Sequence, residues 1–252
     1  MTLGNHEISN SFHVGVVVPA RNEEAALDAC LARLTSCLEE HDAVLVVDAH
    51  SDDRTAAIAT QRKVEVVRSP NPMRGYSVAF GVETLLARLP RPHVIVIVHA
   101  DTLLPVNARK RLQEAFEKDQ SWVGGAFGHR IDHPGWRFRL IERGNNARAR
   151  WLGMPYGDQV QFFCPDRFDE GFPNQAGLED LELALRMRKA GRVIVLNQPA
   201  IIPPRHWQKG IVPTTMRNWG TVIRYCAQRM LRKHFGFLID AKRTLFESKS
   251  NQ

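Results

Sequence analysis

Three unbroken apolar runs, Val14–Val18, Ala43–Val47 and Val94–Val98, each end on a polar loop that leads into a helical pattern. This rhythm constrains the fold more than any other feature of the chain. A run of five aliphatic residues with no polar alternation fits a strand buried on both faces of a parallel sheet. Between the runs, Ala25–Leu38 sets Leu27, Leu31, Leu34 and Leu38 on one helical face. Thr55–Gln61 suits a short helix, Val64–Val67 a strand and Gly75–Leu89 a helix. His93–Val98 is the third strong strand, and Pro105–Lys118 returns to helix with Pro105 near its start. The βαβ progression predicts an α/β fold: a Rossmann-like, mostly parallel sheet with right-handed crossovers, flanked by helices.

The rest of the chain is mixed. Trp122–Ile131 reads as a glycine-containing strand, Trp136–Trp151 as a basic helix and Val160–Cys164 as a strand. Leu178–Ala190 reads as a helix with Leu181, Leu185 and Met187 apolar, and Val193–Leu196 as a strand. No Ser/Gly linker and no internal repeat interrupts this order, so residues 14–212 read as one domain. Residues 1–13 read as a disordered lead-in with neither a basic region nor an apolar stretch of secretory type. No apolar run approaches the roughly 20 residues that cross a bilayer.

The four cysteines, Cys30, Cys37, Cys164 and Cys226, form no C-x-x-C pair. They argue against a disulfide framework or zinc site and for a reducing compartment, with the cytoplasm the expectation. Net charge is +7, and residues 217–249 hold eight Lys or Arg against Asp240 and Glu247, which leaves +6 in that segment. Residues 213–252 therefore form a basic helical appendage, with Trp219, Ile223 and Phe235 among its apolar residues. The plain reading packs it on the main domain with a solvated basic face. The alternatives are a peripheral contact with anionic lipid at the inner face of a membrane, and dimerisation. A nucleic-acid role would rest on the charge alone, without a stacking or groove-reading motif, and is not expected.

Ligands in such sheets bind beyond the carboxyl ends of the strands, and the polar motifs fall there. In Pro19-Ala20-Arg21-Asn22-Glu23-Glu24, a turn set by proline presents a carboxylate to a ribose or base, or Asn22 merely caps a helix with acids in its first turn. In the loop 48–55, Asp48 is the residue suited to a purine or pyrimidine edge, whereas Ser51 and Asp53 suit turn and cap roles. Arg74-Gly75 opens a helix and is either a diphosphate contact or a surface arginine beside a flexible turn. His99-Ala100-Asp101 follows the third strand directly. Asp101 there suits Mg2+ or Mn2+, and His99 is a ligand or only a polar strand end. Glu179-Asp180 is either an acidic first turn favoured by the helix dipole or a carboxylate general base.

Together, PARNEE (19–24), DAHSDDRT (48–55), RG (74–75), HAD (99–101) and ED (179–180) resemble the family-2 glycosyltransferases of the GT-A fold over residues 14–210. Within that family the chain is similar to the soluble branch called radical-SAM/selenodomain-associated transferase. The likeness rests on HADT (99–102), GDQ (157–159), EGFP (170–173), EDLEL (179–183) and RHW (205–207). The resemblance implies a nucleotide-binding half over about residues 14–120 and an acceptor half over about 121–212. It implies that Pro19, Ala20, Glu23 and Asp48 line the nucleoside pocket, that Arg74 approaches the diphosphate, and that Asp101, next to His99 and Ala100, holds the metal. Gly157, Asp158 and Gln159 would border the sugar or acceptor. Asp180 would be the base with Glu179 beside it. Arg205, His206 and Trp207 would close over the diphosphate, with His206 a second candidate metal ligand.

The chain departs from the family pattern at four positions. Ala49 stands where a paired acid is usual, His50 where glycine is, His99 at the first acid of D-x-D, and Arg21 where many relatives carry an aromatic. What the resemblance implies is an inverting, metal-dependent transfer of a sugar from a nucleoside-diphosphate donor to an acceptor hydroxyl, lipid-linked if the basic segment rests on a membrane. Two rivals stand beside it. A sugar nucleotidyltransferase would want a glycine-rich basic loop where the chain has the acidic Pro19–Glu24. A non-catalytic nucleotide-sugar binder would not need both Asp101 and Asp180.

Overall fold

The computed structural model describes residues 12–207 and 220–231. The expected lead-in, apart from its last two residues, and most of the basic segment therefore lie outside the described residues. The chain forms two compact units, Met1–Pro203 and Pro204–Gln252. In the second, Pro204–Trp207 is a 3-10 turn and residues 220–231 are helical.

The first unit is built on one seven-stranded sheet of order β3-β2-β1-β4-β6-β5-β7. Its strands are β1 (Val14–Ala20), β2 (Ala43–Asp48), β3 (Glu65–Arg68), β4 (Val94–Ile97), β5 (Trp122–Ile131), β6 (Gln161–Phe163) and β7 (Arg192–Ile202). Its helices are α1 (Leu27–Cys37), α2 (Thr55–Gln61), α3 (Arg74–Leu86), α4 (Ala108–Lys118), α5 (Trp136–Leu152) and α6 (Glu179–Ala190). Strands β1 to β4 pair parallel, as the βαβ rhythm implies. Then β6 runs antiparallel to both β4 and β5, and β7 pairs parallel to β5.

β1 is buried along its whole length, because each of its faces feeds a separate core. Val14, Val16 and Val18 pack with Leu27, Leu31 and Leu34 of α1 and Leu112 of α4. Val17 points the other way, to Val78 and Val82 of α3 and Leu183 and Met187 of α6. A strand with two dry faces has no polar alternation, which is why the run reads as continuous valine.

Most elements differ from expectation by a residue or two at their ends, α3 stops at Leu86 rather than Leu89, and three further differences have a physical reason. The helix expected from Pro105 begins at Ala108, whose N–H donates to the Pro105 carbonyl at 2.9 Å, so the proline sits in the preceding turn. In α6 the buried face holds Leu181, Leu183, Ala184 and Met187, while Leu185 is only half-buried. β7 runs to Ile202, past the expected Leu196, because its pairing with β5 continues through a register shift to Ile131↔Ile202.

Phe162 on β6 is fully buried and meets Trp122 and Phe127 edge-on, with ring centroids 5.7 Å away in each case. Phe162→Ala is expected to cost about 3–5 kcal/mol, read from urea unfolding followed by circular dichroism. A loss under about 1 kcal/mol would mean that this site collapses freely and that β6 does not carry the core described here.

Candidate active site

Strands β2, β1 and β4 lie side by side and deliver their polar loops to one edge of the sheet. Pro19 and Ala20 end β1 as buried residues, and Ala20 sits in register with Asp48 at the end of β2. Asp48 is buried, and its Oδ1 accepts the Ser51 N–H at 3.1 Å. The two loops are laced together: the Asn22 N–H donates to Ser51 Oγ at 3.0 Å, Glu23 N–H to Thr55 Oγ1 at 2.8 Å and Glu24 N–H to Asp53 Oδ2 at 3.1 Å. Asn22 does not cap α1. It adopts left-handed backbone (φ 54°), and its Oδ1 accepts the Asp52 N–H at 2.9 Å. Ser51 and Asp53 thus serve the turns, and the Asp48 carboxylate stands at their base.

α3 opens with Arg74, whose Nε donates to Glu179 Oε1 at 2.5 Å. Glu179 is almost fully buried, whereas the Arg74 side chain keeps 49% of its surface exposed. A Cβ on Gly75 would lie 2.0 Å from the Gln175 carbonyl oxygen, so the loop before α6 rests directly on the first turn of α3. His99 and Asp101 follow β4 in a loop closed by Thr102 N–H on the His99 carbonyl at 2.9 Å. Leu103 anchors the same loop by pairing with Ile201 of β7.

The 3-10 turn Gly157–Gln159 meets these elements at Asp180. Asp180 Oδ2 accepts the Gly157 N–H at 3.0 Å, and Oδ1 accepts the Leu181 N–H at 2.8 Å. A Cβ on Gly157 would lie 3.0 Å from His99 Nε2 and 3.2 Å from Asp180 Oδ2, so the imidazole and the carboxylate close on the same glycine. Burial, and then Arg74, hold the His99 imidazole below its ordinary value, while Asp101, Asp180 and Asp158 pull it upward. The charges of Arg74, Asp101, Asp180 and Asp158 thus all act on one ring. Gln159 is fully buried: its Oε1 accepts from Arg148 at 3.2 Å and from the Tyr156 N–H at 3.3 Å. The Arg148 guanidinium stacks 3.6 Å above the Tyr156 ring. Arg205 is exposed in the second unit, and the side chains of His206 and Trp207 lie outside the described residues.

Asp101, Asp158 and Asp180 are hard oxygen donors. Asp158 Oδ1 and Glu179 Oε2 are buried with no hydrogen-bond partner among the described residues. Among the described residues, no three His, Cys, Asp or Glu converge into a ready-made cation cage. Mg2+ and Mn2+ suit a site of this kind, in which one or two carboxylates act together with substrate phosphate oxygens. The donor set fits such an ion.

The family model "Glycosyl transferase family 2" matches residues 15–179. The chain belongs to that family. A protein of Mycobacterium bovis, described as an uncharacterized glycosyltransferase, is 33% identical over 193 residues, covering 73% of this chain and 83% of the relative. The fold is that of GT-A glycosyltransferases of known structure. S. aureus TarS in complex with UDP-GlcNAc superposes with a TM-score of 0.59 at 16% identity over 76% of this chain. A mannosyltransferase from Pyrobaculum calidifontis in complex with GDP-Man and Mn2+ superposes with 0.57 at 21% over 78%. This glycosyltransferase spans 58% of each of those two chains.

Sequence reasoning missed three polar residues that pack against the Gly157–Gln159 turn of this glycosyltransferase: Arg148, Tyr156 and His129. Arg148 is one of five arginines on α5 and nothing in its spacing marks it, although Tyr156 directly precedes Gly157-Asp158-Gln159. His129 closes an eight-residue buried stretch of β5 that is otherwise apolar, and that was the available signal. Its side chain is fully buried with Nδ1 3.5 Å from Asp158 Oδ2.

Burial holds the His129 imidazole below its ordinary 6.5, with Asp158 and Glu142 pulling the other way. The unfolded chain therefore takes up this proton first as pH falls. The neutral ring's contribution is fully present above about pH 6.5 and declines below it. His129→Gln should flatten the fall in unfolding free energy between about pH 7 and pH 5 by up to about 1.4 kcal/mol per pH unit. Urea titrations at several pH values test this, and parallel slopes for both proteins would mean His129 titrates alike folded and unfolded.

Proposed function

We propose that the enzyme moves a sugar from a nucleoside-diphosphate donor to an acceptor hydroxyl in a single inverting displacement, with Asp180 as general base. The contrast between two neighbouring acids carries this reading. Glu179 is buried and paired with Arg74, whereas the half-buried Asp180 carboxylate is aligned by two backbone N–H groups beside His99. Asp180 takes the acceptor proton as the hydroxyl attacks the anomeric carbon and the diphosphate departs. Pro19, Ala20, Glu23 and Asp48 form the nucleoside end of the site. Arg74, at the N-terminus of α3, faces the diphosphate, and Glu179 positions it.

Asp158 borders the sugar, and buried Gln159 holds Arg148 and Tyr156 in place at the acceptor side. Asp101 would hold Mg2+ or Mn2+, which would supply positive charge to the leaving diphosphate. The complexes of GT-A neighbours with UDP-GlcNAc and with GDP-Man and Mn2+ support this donor class. HADT, GDQ and EDLEL support the radical-SAM/selenodomain-associated branch. Four free cysteines, with burial pushing the Cys30 and Cys164 thiols up to about 12, fit a reducing cytoplasm.

Thermal shift with a panel of nucleoside diphosphates and their sugars, with and without Mn2+, identifies the donor. A metal-dependent rise for one nucleotide, lost in Asp101→Ala, is the expected result. No rise for any nucleotide would count against the donor site. Asp180→Asn should keep that rise while transfer falls about 10²–10⁴-fold in a product assay. Transfer at the wild-type rate would remove Asp180 as the base.

A further inference from the structure

The outward side of α5 is an apolar stripe between arginines. Trp136, Leu140 and Trp151 are 67%, 55% and 85% exposed, and Leu152 is exposed beside them. At 3.6 residues per turn, Trp136, Leu140, Gly144, Ala147 and Trp151 fall within an arc of about 80°, with Arg143 and Arg150 on one flank and Arg137 on the other. The helix has a single acid, Glu142, and it is turned inward: Oε1 accepts the Ile131 N–H at 2.5 Å and Oε2 accepts from Arg139 at 2.8 Å. The outward face therefore carries apolar and cationic groups and no carboxylate.

We propose that this face of α5 lies in the plane of a bilayer rich in anionic phospholipid. Trp136, Leu140 and Trp151 sit at the boundary of headgroups and acyl chains, and Arg137, Arg143 and Arg150 sit on lipid phosphates. Indoles are suited to that boundary because one edge is polar and the body is not. The two tryptophans are fifteen residues apart, about 22 Å along the helix, so they anchor both ends of it. Among the described residues no helix is long and apolar enough to cross a membrane, and this one rests on the surface.

Charge selects lipid over the other occupants. The basic segment of residues 217–249 carries +6, the same sign as the arginines that flank this stripe. A second copy of the chain would set arginine against arginine. Nucleic acid would pair with the arginines through phosphate but has no use for exposed Leu140 and Leu152.

The inner side of the same helix holds the acceptor end of the site, since Arg148 and Asn146 bond to Gln159. Docking through α5 brings that end to the lipid surface. The consequence, an acceptor hydroxyl carried by a lipid, rests on the glycosyl-transfer reading, whereas the docking itself does not.

Flotation of the full chain with vesicles of phosphatidylglycerol and phosphatidylcholine, against phosphatidylcholine alone, tests the surface. Binding is expected only with the anionic lipid and should weaken as salt rises. Trp136→Ser with Trp151→Ser, and separately Arg137, Arg143 and Arg150→Gln, should each lower the bound fraction about tenfold or more. Both sets change exposed residues, so thermal midpoints should stay unchanged. Binding that survives both sets would assign the contact to the basic C-terminal segment and overturn the proposal. So would equal binding to neutral vesicles, or binding to RNA or an acidic protein with none to vesicles. Nucleotide thermal shift on the same variants separates the two readings. Its absence in the unaltered chain counts against glycosyl transfer and leaves the vesicle result standing.

Discussion

β6 is paired on both edges, to β4 and to β5, and both pairings are antiparallel in a sheet whose other strands pair parallel. Three residues therefore join the half that ends in Asp48 and Asp101 to the half that supplies Asp158 and Asp180. Phe162 enters the core beneath α1 and α4, and Phe163 enters the opposite one beneath α3 and α6. Gln161 between them is buried, and its Nε2 donates to the Pro155 carbonyl at 3.0 Å and the Asp180 carbonyl at 2.8 Å. An amide buried there must find such partners or cost about 1–3 kcal/mol. The strand's only polar side chain thus fixes both the Gly157–Gln159 turn and the first turn of α6.

The junction carries backbone strain and buried charge. Val160 and Leu178 adopt left-handed backbone, with φ 50° and 56°, and Val160 is β-branched and fully buried. Each such residue costs about 1–3 kcal/mol and persists only where its surroundings over-determine it. Here Val160 precedes β6, and Leu178 precedes Glu179-Asp180. Glu179 is buried with one oxygen on Arg74, and Arg74 reaches it from the exposed end of α3. Removing the guanidinium would leave a buried carboxylate uncompensated, the costly way to break such a pair. The pair ties the first turn of α3 to the first turn of α6, which carries Asp180.

Most of the parallel half was legible in the sequence because each of its strands is a short apolar run beside a periodic helix. Thr55–Gln61 and Trp122–Ile131 agree with expectation residue for residue. The order in which the strands sit was not legible, since β4 neighbours β6 rather than β5 and nothing in local periodicity records a reversal of direction. The acids at strand ends were visible because a carboxylate after a buried valine run has few structural reasons to be there. Arg148 and His129 were not, because what places them is a contact 11 and 29 residues away in sequence, to Gln159 and Asp158. Asn22 shows the opposite error. Its local pattern matches a helix cap, and a tertiary partner, the Asp52 N–H, claims it instead.

α5 departs from the usual rule for a surface helix, in which the apolar stripe turns inward. Its arginines divide by partner: Arg139 and Arg148 bond inward to Glu142 and Gln159, Arg150 bonds to Asn197, and Arg137 and Arg143 are exposed. Asn146 is likewise committed, with its Oδ1 accepting the His129 N–H at 3.0 Å. A helix whose inward positions carry a polar framework has little room there for large apolar groups, so Trp136, Leu140 and Trp151 are left outside. Indoles that exposed lie in water at a cost of roughly 1.5–3 kcal/mol each relative to burial. The free chain tolerates that cost because the inward face must stay polar to hold the site. A second phase laid against that side of the molecule, as proposed above, would recover it.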